Sequence, residues 1–486
     1  MKSFDYDMGV LGGGAAGLTV AAGAASLGAK TLLAEKEENL GGDCLHYGCV
    51  PSKTLIATAR AYHAMKNGER FGLPKVDPPA PDFSRIAARI RGVIAKIQVH
   101  DSHERFRRLG AEVVRAEPLF ADEHTVDLGD RKVTARHWVV ATGSSAVVPG
   151  IEGPAGISYL TNREIFSLQT LPGSLLILGG GPIGVEMAQA FSRLGTRVAV
   201  VEMADRILAA EDPDMAGEVA RNLSAEGVAL FLGCKAVKVA QEGGKKLVTV
   251  EAQDKTRQVL SADEVLVAVG RRPNTAGLGL EKIGLGEPGR PIVVDARMRT
   301  KIPHIFAAGD AVGGYMFTHA AGYEGGIALT NAVLRLPRKA DYSRMCWCTY
   351  TDPELASIGM NESAAKKAGV PFKIIVEDLG ENDRSLAEGN GSGKLKLLLD
   401  KSDKPLGVQI LAPHAGDLLA EWVAVMGGGV KLSALAGAIH PYPTMAEASK
   451  KAAADLFAPR LYSDNVRKAL RFLFQLKGRA PLAGAK

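Results

Sequence analysis

Five cysteines in 486 residues, at positions 44, 49, 234, 346 and 348, are too few and too scattered to staple a secreted framework. A cysteine pair in such a chain is read as catalytic or metal-binding. Excess charge of one sign is also scarce, since 59 basic against 53 acidic side chains leave only +6. No dense Lys/Arg run with interleaved aromatics occurs, so nucleic acid is not an expected partner. Long hydrophobic runs are nearly missing. Met8 to Ala29 carries no charge, but it is mostly Gly and Ala, and Asp5 and Asp7 precede it. A buried strand, a tight turn and an Ala-rich helix explain it better than a membrane span or signal peptide. The expectation is a cytoplasmic, globular chain of two to four domains, at roughly 100–200 residues each.

Glycine is plentiful at 56 residues, and its placement is informative. After the apolar stretch Met8 to Leu11 come Gly12, Gly14 and Gly17 in a GxGxxG pattern that opens an Ala-rich segment. The pattern recurs after Leu175 to Leu178 as Gly179, Gly181 and Gly184, opening a helix-like segment to about Leu194. Glu35 follows Gly12 by 23 positions, and Glu202 follows Gly179 by 23. One such motif is a weak signal; two with an acid at the same offset are strong. The first glycine permits the tight turn, the second lets backbone approach a pyrophosphate, and the third lets helix pack on strand. The helix N-terminus supplies N–H groups for phosphates, and each acid can accept from ribose hydroxyls. Two dinucleotide sites on one chain imply a flavin and a nicotinamide, hence an electron-transfer enzyme.

The remaining segments suggest the organisation. Ile86, Ile90, Ile94 and Ile97 recur at helical spacing, predicting a long structural helix. Strands are expected over Trp138–Thr142, ending at Gly143, over Val265–Val269, ending at Gly270, and over Ile305–Asp310, ending in that acid. From about Tyr342 the texture changes to that of a separate α+β domain, with strands at Lys394–Leu399 and Val408–Leu411. The fold class is therefore α/β: two Rossmann-like domains, the second inserted in the first, and an α+β C-terminal domain. The expected division is 1–150 (first dinucleotide domain), 151–270 (inserted nicotinamide domain), 271–344 (return of the first), 345–465 and a basic tail 466–486.

The densest segment is Gly41-Gly42-Asp43-Cys44-Leu45-His46-Tyr47-Gly48-Cys49-Val50-Pro51-Ser52-Lys53. Residues five apart on a regular helix are too distant for a disulfide, but Gly48 and Pro51 offer the backbone distortion to close the gap. Cysteines near a helix start are expected to have lowered thiol pKa values. A zinc site needs more Cys and His at ligand spacing than His46 offers, so no metal is expected. At these residues the chain resembles the class I pyridine nucleotide–disulfide oxidoreductases, which include dihydrolipoamide dehydrogenase, mercuric reductase and glutathione reductase. The resemblance spans roughly residues 5 to 460. It implies a glutathione reductase-like fold, FAD on the first unit with Glu35 at its adenosine ribose, and Thr142, Gly143 and Asp310 as later FAD contacts. Gly270 joins them as a cofactor-contact candidate. It further implies a redox disulfide in which Cys49 faces the flavin and Cys44 meets a small or protein-bound dithiol/disulfide substrate. Lys53 and Glu186 would pair near the flavin, and residues 345–465 would form the interface of a homodimer that shares its active site. Glu202, a carboxylate that repels a 2′-phosphate, favours NAD over NADP.

The resemblance breaks at His440-Pro441-Tyr442-Pro443-Thr444-Met445-Ala446-Glu447, where Tyr442 takes the place of the catalytic His that partners Glu447 in the lipoamide and glutathione enzymes. Tyr lies about 3.5 pKa units above His and is a poor base at neutral pH. Tyr here also suits mercuric reductase, yet no cysteine follows Cys348, and with the first strand so near residue 1 no N-terminal metal-binding domain is expected. Three substitutes are weighed: His440, expected on the same strand face as Tyr442; His46; and Cys346 with Cys348, alternating on one strand face but read first as core. The tail from Arg460 to Arg479 is basic and amphipathic, with packing on its own dimer preferred to a membrane surface. A dihydrolipoamide dehydrogenase-like enzyme is the leading reading. A soft-metal reductase is the first alternative, and a redox-sensing or membrane-docked electron-transfer partner is the alternative from another class.

Overall fold

The computed structural model describes residues 3–154 and 157–478; the last eight residues of the expected tail lie outside it. Two compact units result, one of residues 1–342 with 349–351, the other of residues 343–348 with 352–486.

The first unit opens on strand β1 (Tyr6–Leu11), which is buried at five of six positions, as a parallel strand covered on both faces must be. It runs parallel to β2 (Thr31–Glu35) on one side and to Lys132–Val140 on the other. Helix α1 (Ala15–Ser26) crosses between β1 and β2. The Val140 end of Lys132–Val140 also pairs in parallel with Ile305–Ala307, so a strand from far down the chain completes this sheet. Trp138 is fully buried, lies edge-on to Phe120, and donates its indole N–H to the His124 carbonyl at 2.9 Å. A Cβ on Gly9 would lie 2.1 Å from that ring, so glycine in β1 makes room for it.

A second parallel sheet has the order 229–232, 197–202, 174–178, 264–267, and a three-stranded antiparallel sheet (234–242, 245–252, 257–262) accompanies it. Ser174–Leu178 is buried throughout. The helix Pro182–Leu194 has proline in its first turn and ends on Gly195 at φ +107°, the expected start and stop chemistry. Strands Ser144–Ala146 and Arg271–Pro273 pair antiparallel where the chain leaves the first sheet and returns.

The second unit is α+β. Its five-stranded sheet has the order 346–349, 354–359, 405–412, 394–399, 373–378, and Trp422 on helix Ala415–Gly428 donates to Ser449 Oγ at 3.0 Å. The tail forms helix Asp464–Phe474, which buries none of its residues within the chain.

Some local expectations need correction. The helix Phe83–Gln98 buries Ile86 and Ile90, but Ile97 is exposed, because only its first half meets the core. The strands at Trp138 and Val265 end at Val140 and Val267, two residues early, because the glycine turns begin there, and the Ile305 strand stops at Ala307, since Gly309 at φ +72° starts a short helical turn that carries Asp310. No strand runs through 439–446; His440 sits in an irregular, proline-bounded segment and bonds through Nε2 to Glu421 at 2.8 Å. No helix among the described residues is long and apolar enough to cross a membrane.

Candidate active site

The two glycine motifs build the same device twice. Gly12 and Gly179 adopt φ +109° and +108°, which L side chains disfavour, and a Cβ there would lie 2.3–2.4 Å from a carbonyl oxygen, of Ala141 or Ala268. A Cβ on Gly17 or Gly184 would meet the first glycine's carbonyl at 1.8 or 2.0 Å, so helix and loop touch backbone to backbone. The middle glycines face open space: Gly14 would meet only the Gly42 Cα at 3.9 Å, and Gly181 nothing within 4 Å. Neither helix N-terminus has a side-chain cap. Each therefore presents N–H donors to a hollow that a pyrophosphate fits.

The two acids repeat as well. Glu35 accepts from the N–H of Gly13 at 2.6 Å and of Glu37 at 2.9 Å; Glu202 accepts from Gly180 at 2.6 Å and Ala204 at 2.8 Å. Each carboxylate is locked at the rim of its hollow with lone pairs left for ribose hydroxyls. A cavity of about 600 Å³ opens at the second motif, lined among others by Gly179, Gly181, Glu202, Gly270 and Arg271. Arg206 is engaged by Asp205 and the Ala209 carbonyl.

Beside the first motif, Thr142 and Asn274 exchange hydrogen bonds of 2.7 and 3.0 Å, pinning the returning chain. Asp310 accepts from Ser144 Oγ at 2.5 Å and lies 3.8 Å from Arg271; burial pushes its carboxyl pKa up.

The dithiol sits at a helix break. Helix α2 (Gly42–His46) ends at Tyr47, and α3 (Cys49–Lys66) starts after Gly48. Cys44 and Cys49 are free thiols, and each shifts the other's titration, in opposite directions. The Cys49 thiol is drawn down to about 6, chiefly by the hydrogen bond from Cys44, with Thr318 and the Lys53 charge assisting against burial. The Cys44 thiol is pushed up by that same bond and by burial. The expectation that both thiols are acidified fails for Cys44, because the neighbouring Cys49 sulfur, burial and the Cys49 charge all oppose a second anion there.

Lys53, one turn along α3, meets Glu186 at 2.7 Å; Glu186 is buried and also accepts the Tyr350 N–H at 2.9 Å, while Lys53 lies over the Tyr350 ring. Thr318 Oγ1 is 3.3 Å from Cys49 Sγ. Thr318, Arg271 and Tyr350 were not legible as site residues, since each reaches the site from a distant segment and belongs to no motif. His46 binds the Leu40 carbonyl through Nε2 at 2.9 Å. Cys346 and Cys348 pack half-buried against the core of the second unit. The structure does not bring Tyr442 and Glu447 into hydrogen-bond contact. Tyr442 is exposed and donates to Asp383 at 2.7 Å, which raises its pKa, while Glu447 accepts from the Thr444 N–H at 3.3 Å.

Comparison with known proteins gives matches over most of the chain. The profile of the pyridine nucleotide-disulphide oxidoreductases matches residues 6–325, and that of their dimerisation domain residues 345–453. A dihydrolipoyl dehydrogenase of Geobacillus stearothermophilus is 35% identical over 91% of this chain and 94% of its own. A mercuric reductase of Bacillus cereus is 32% identical over 93% of this chain and 71% of its own. Among solved structures, LpdA from Mycobacterium tuberculosis superposes with TM-score 0.83 at 27% identity, covering 92% of this chain and 99% of its own. The HOCl-induced flavoprotein disulfide reductase RclA from Escherichia coli gives 0.82 at 27% identity with the same coverage, and it is also solved as a Cu(II) complex.

Proposed function

The chain belongs to the pyridine nucleotide-disulphide oxidoreductases, flavin-dependent enzymes acting on sulfur groups, and from that premise we propose its electron path. Electrons pass between NAD(H) and a dithiol or disulfide substrate by way of FAD and the Cys44–Cys49 pair, as in a dihydrolipoamide dehydrogenase. One observation carries this: the dithiol is tied to both glycine loops. Gly42, two residues before Cys44, abuts Gly14 of the first, and Lys53 reaches Glu186 on the helix behind the second.

Gly12, Gly14, Gly17 and Glu35 would hold the adenosine diphosphate of FAD, with Thr142, Gly143 and Asp310 along its middle. Gly179, Gly181, Gly184, Glu202 and Gly270 would hold the nicotinamide nucleotide, and Glu202 selects NAD because its carboxylate repels a 2′-phosphate. FAD, when bound, supplies the hydride and electron-pair chemistry between nicotinamide and sulfur. The protein supplies charge placement. Cys49 holds the anion of the reduced pair, and Cys44 keeps the proton until it attacks a substrate disulfide. The match to a dimerisation domain supports a homodimer in which Tyr442 and Glu447 serve the opposite subunit's site.

Tyr442 favours a second reading. A phenol whose pKa is raised by Asp383 is a poor acceptor for the Cys44 proton, and mercuric reductases are as similar to this chain as the lipoamide enzymes. Cys44 and Cys49 would then be soft-metal ligands. Turnover of NADH and NADPH against lipoamide, glutathione disulfide and Hg(II) separates the two readings. Lipoamide activity supports the first, and metal-dependent NADH oxidation alone replaces it with the second.

A further inference from the structure

Asp43, immediately before Cys44, is gripped from outside its own segment. Its Oδ1 accepts from Asn162 Nδ2 at 2.9 Å, and Asn162 also donates to the Tyr47 carbonyl at 3.1 Å. Its Oδ2 lies 3.2 Å from the Arg271 guanidinium. Arg271 is itself anchored, donating to Ser144 Oγ at 2.7 Å and to the Ser144 carbonyl at 2.9 Å. Asp43 in turn shapes the break between the cysteines. Its carbonyl accepts the Tyr47 N–H at 2.8 Å, and a Cβ on Gly48 would lie 3.0 Å from that oxygen. Arg163, next to Asn162, covers the Tyr47 ring and pairs with Glu37 at 3.2 Å.

Asn162 and Arg271 both line the 600 Å³ cavity at the second glycine motif; Asp43, Cys44 and Cys49 do not. Both oxygens of one carboxylate are thus held by cavity-wall residues, and the backbone carbonyl of the same residue accepts the Tyr47 N–H in the turn that separates the two cysteines. We propose that Asp43 couples occupancy of the nucleotide cavity to the reactivity of the Cys44–Cys49 pair, with Asn162 and Arg271 as positioning residues. This rests on reading the cavity as the nicotinamide nucleotide site. A ligand that fixes the cavity wall fixes Asn162 and Arg271, and through them α2. Such coupling is reciprocal, and between sites it is typically worth about 5–150-fold.

The test uses the reduced, FAD-loaded full chain and ADP-ribose, which lacks the redox-active ring. Alkylation of Cys44 and Cys49 by iodoacetamide is followed by peptide mass, and ADP-ribose binding by calorimetry. Saturating ADP-ribose should slow alkylation at least fivefold in the wild type. In Asp43→Ala, which still binds ADP-ribose, the slowing should vanish. Asp43→Asn, which keeps an acceptor for Asn162 but loses the charge facing Arg271, should retain part of it, and it serves if the alanine variant does not fold. Undiminished slowing in Asp43→Ala and Asp43→Asn would mean simple shielding and overturn the proposal, as would no slowing in a wild type that binds ADP-ribose. Failure of the wild type to bind ADP-ribose overturns the nucleotide reading of the cavity as well, so the two failures are distinguishable.

Discussion

The acidity of Cys49 gives a sign-sensitive test of how charge is arranged at the dithiol. With its thiol drawn down to about 6, roughly 90% is anionic at pH 7, against a few per cent for an ordinary cysteine of pKa near 8.5. The thiolate is the nucleophile, so the alkylation rate of the reduced holoenzyme should rise as pH climbs through about 6 and level off before pH 8. The causes are ordered: the Cys44 hydrogen bond is largest among those that lower the value, Thr318 follows, then the Lys53 charge, while Glu186 opposes them. Cys44→Ala should therefore move the midpoint up most, and Cys44→Ser less, because a hydroxyl still donates. Thr318→Ala should rank next. Lys53→Met should raise it by under about one unit, since an opposite charge nearby is worth 1–3 units before solvent screening and Lys53 is one-third exposed. Glu186→Gln should shift the midpoint downward. Lys53→Met also leaves the buried Glu186 carboxylate without its cation, so that variant should lose stability that Lys53→Met with Glu186→Gln recovers. The measurement is the pH profile of Cys49 modification by peptide mass, with thermal unfolding alongside. A midpoint unmoved by Cys44→Ala, or moved upward by Glu186→Gln, would refute the arrangement.

Other substitutions probe the remaining parts. Glu202→Ala should weaken NADH binding by about 10–100-fold, the loss of a charge-assisted hydrogen bond, and narrow the gap to NADPH; titration of both nucleotides checks it, and a wild-type preference for NADPH contradicts the assignment. Gly17→Val puts side-chain carbon where a Cβ already falls 1.8 Å from the Gly12 carbonyl, so purified protein should lose bound flavin, read from its visible absorbance. Tyr442→His should change dihydrolipoamide turnover by less than tenfold, because the new ring would face Asp383 rather than Glu447; general acid–base assistance is typically worth about 10²–10⁴-fold, and a hundredfold gain would show that the tyrosine merely displaced a working base.

The parts of the site legible from sequence are those whose chemistry is local. A strand, three glycines and an acid 23 positions on lie within one βαβ unit, so spacing alone predicts the tight turn at Gly12, whereas the lock between Glu35 and the Gly13 N–H emerges only in the structure. The Cys44-to-Lys53 segment is similar, its break at Gly48 following from the glycine itself. Segments that meet only through the fold are different. Thr318 reaches Cys49 from 269 positions away, and Glu186 reaches Lys53 from 133; periodicity over a dozen residues carries no signal for either contact. Only the family resemblance paired Lys53 with Glu186. The failure at Cys44 has another origin: a helix-start argument treats each sulfur alone, whereas the sign of each shift is set by the other sulfur. Tyr442 combines both effects. Its place in the motif is readable, but its partner, Asp383, lies 59 positions upstream. Asp383 accepts the one phenol proton and raises its pKa, so the hydroxyl stays protonated at neutral pH and the substitution at 442 and the acid beside it both remove base character from this position. A decayed histidine site gives no reason for that agreement, whereas a site in which residue 442 no longer takes up the Cys44 proton does.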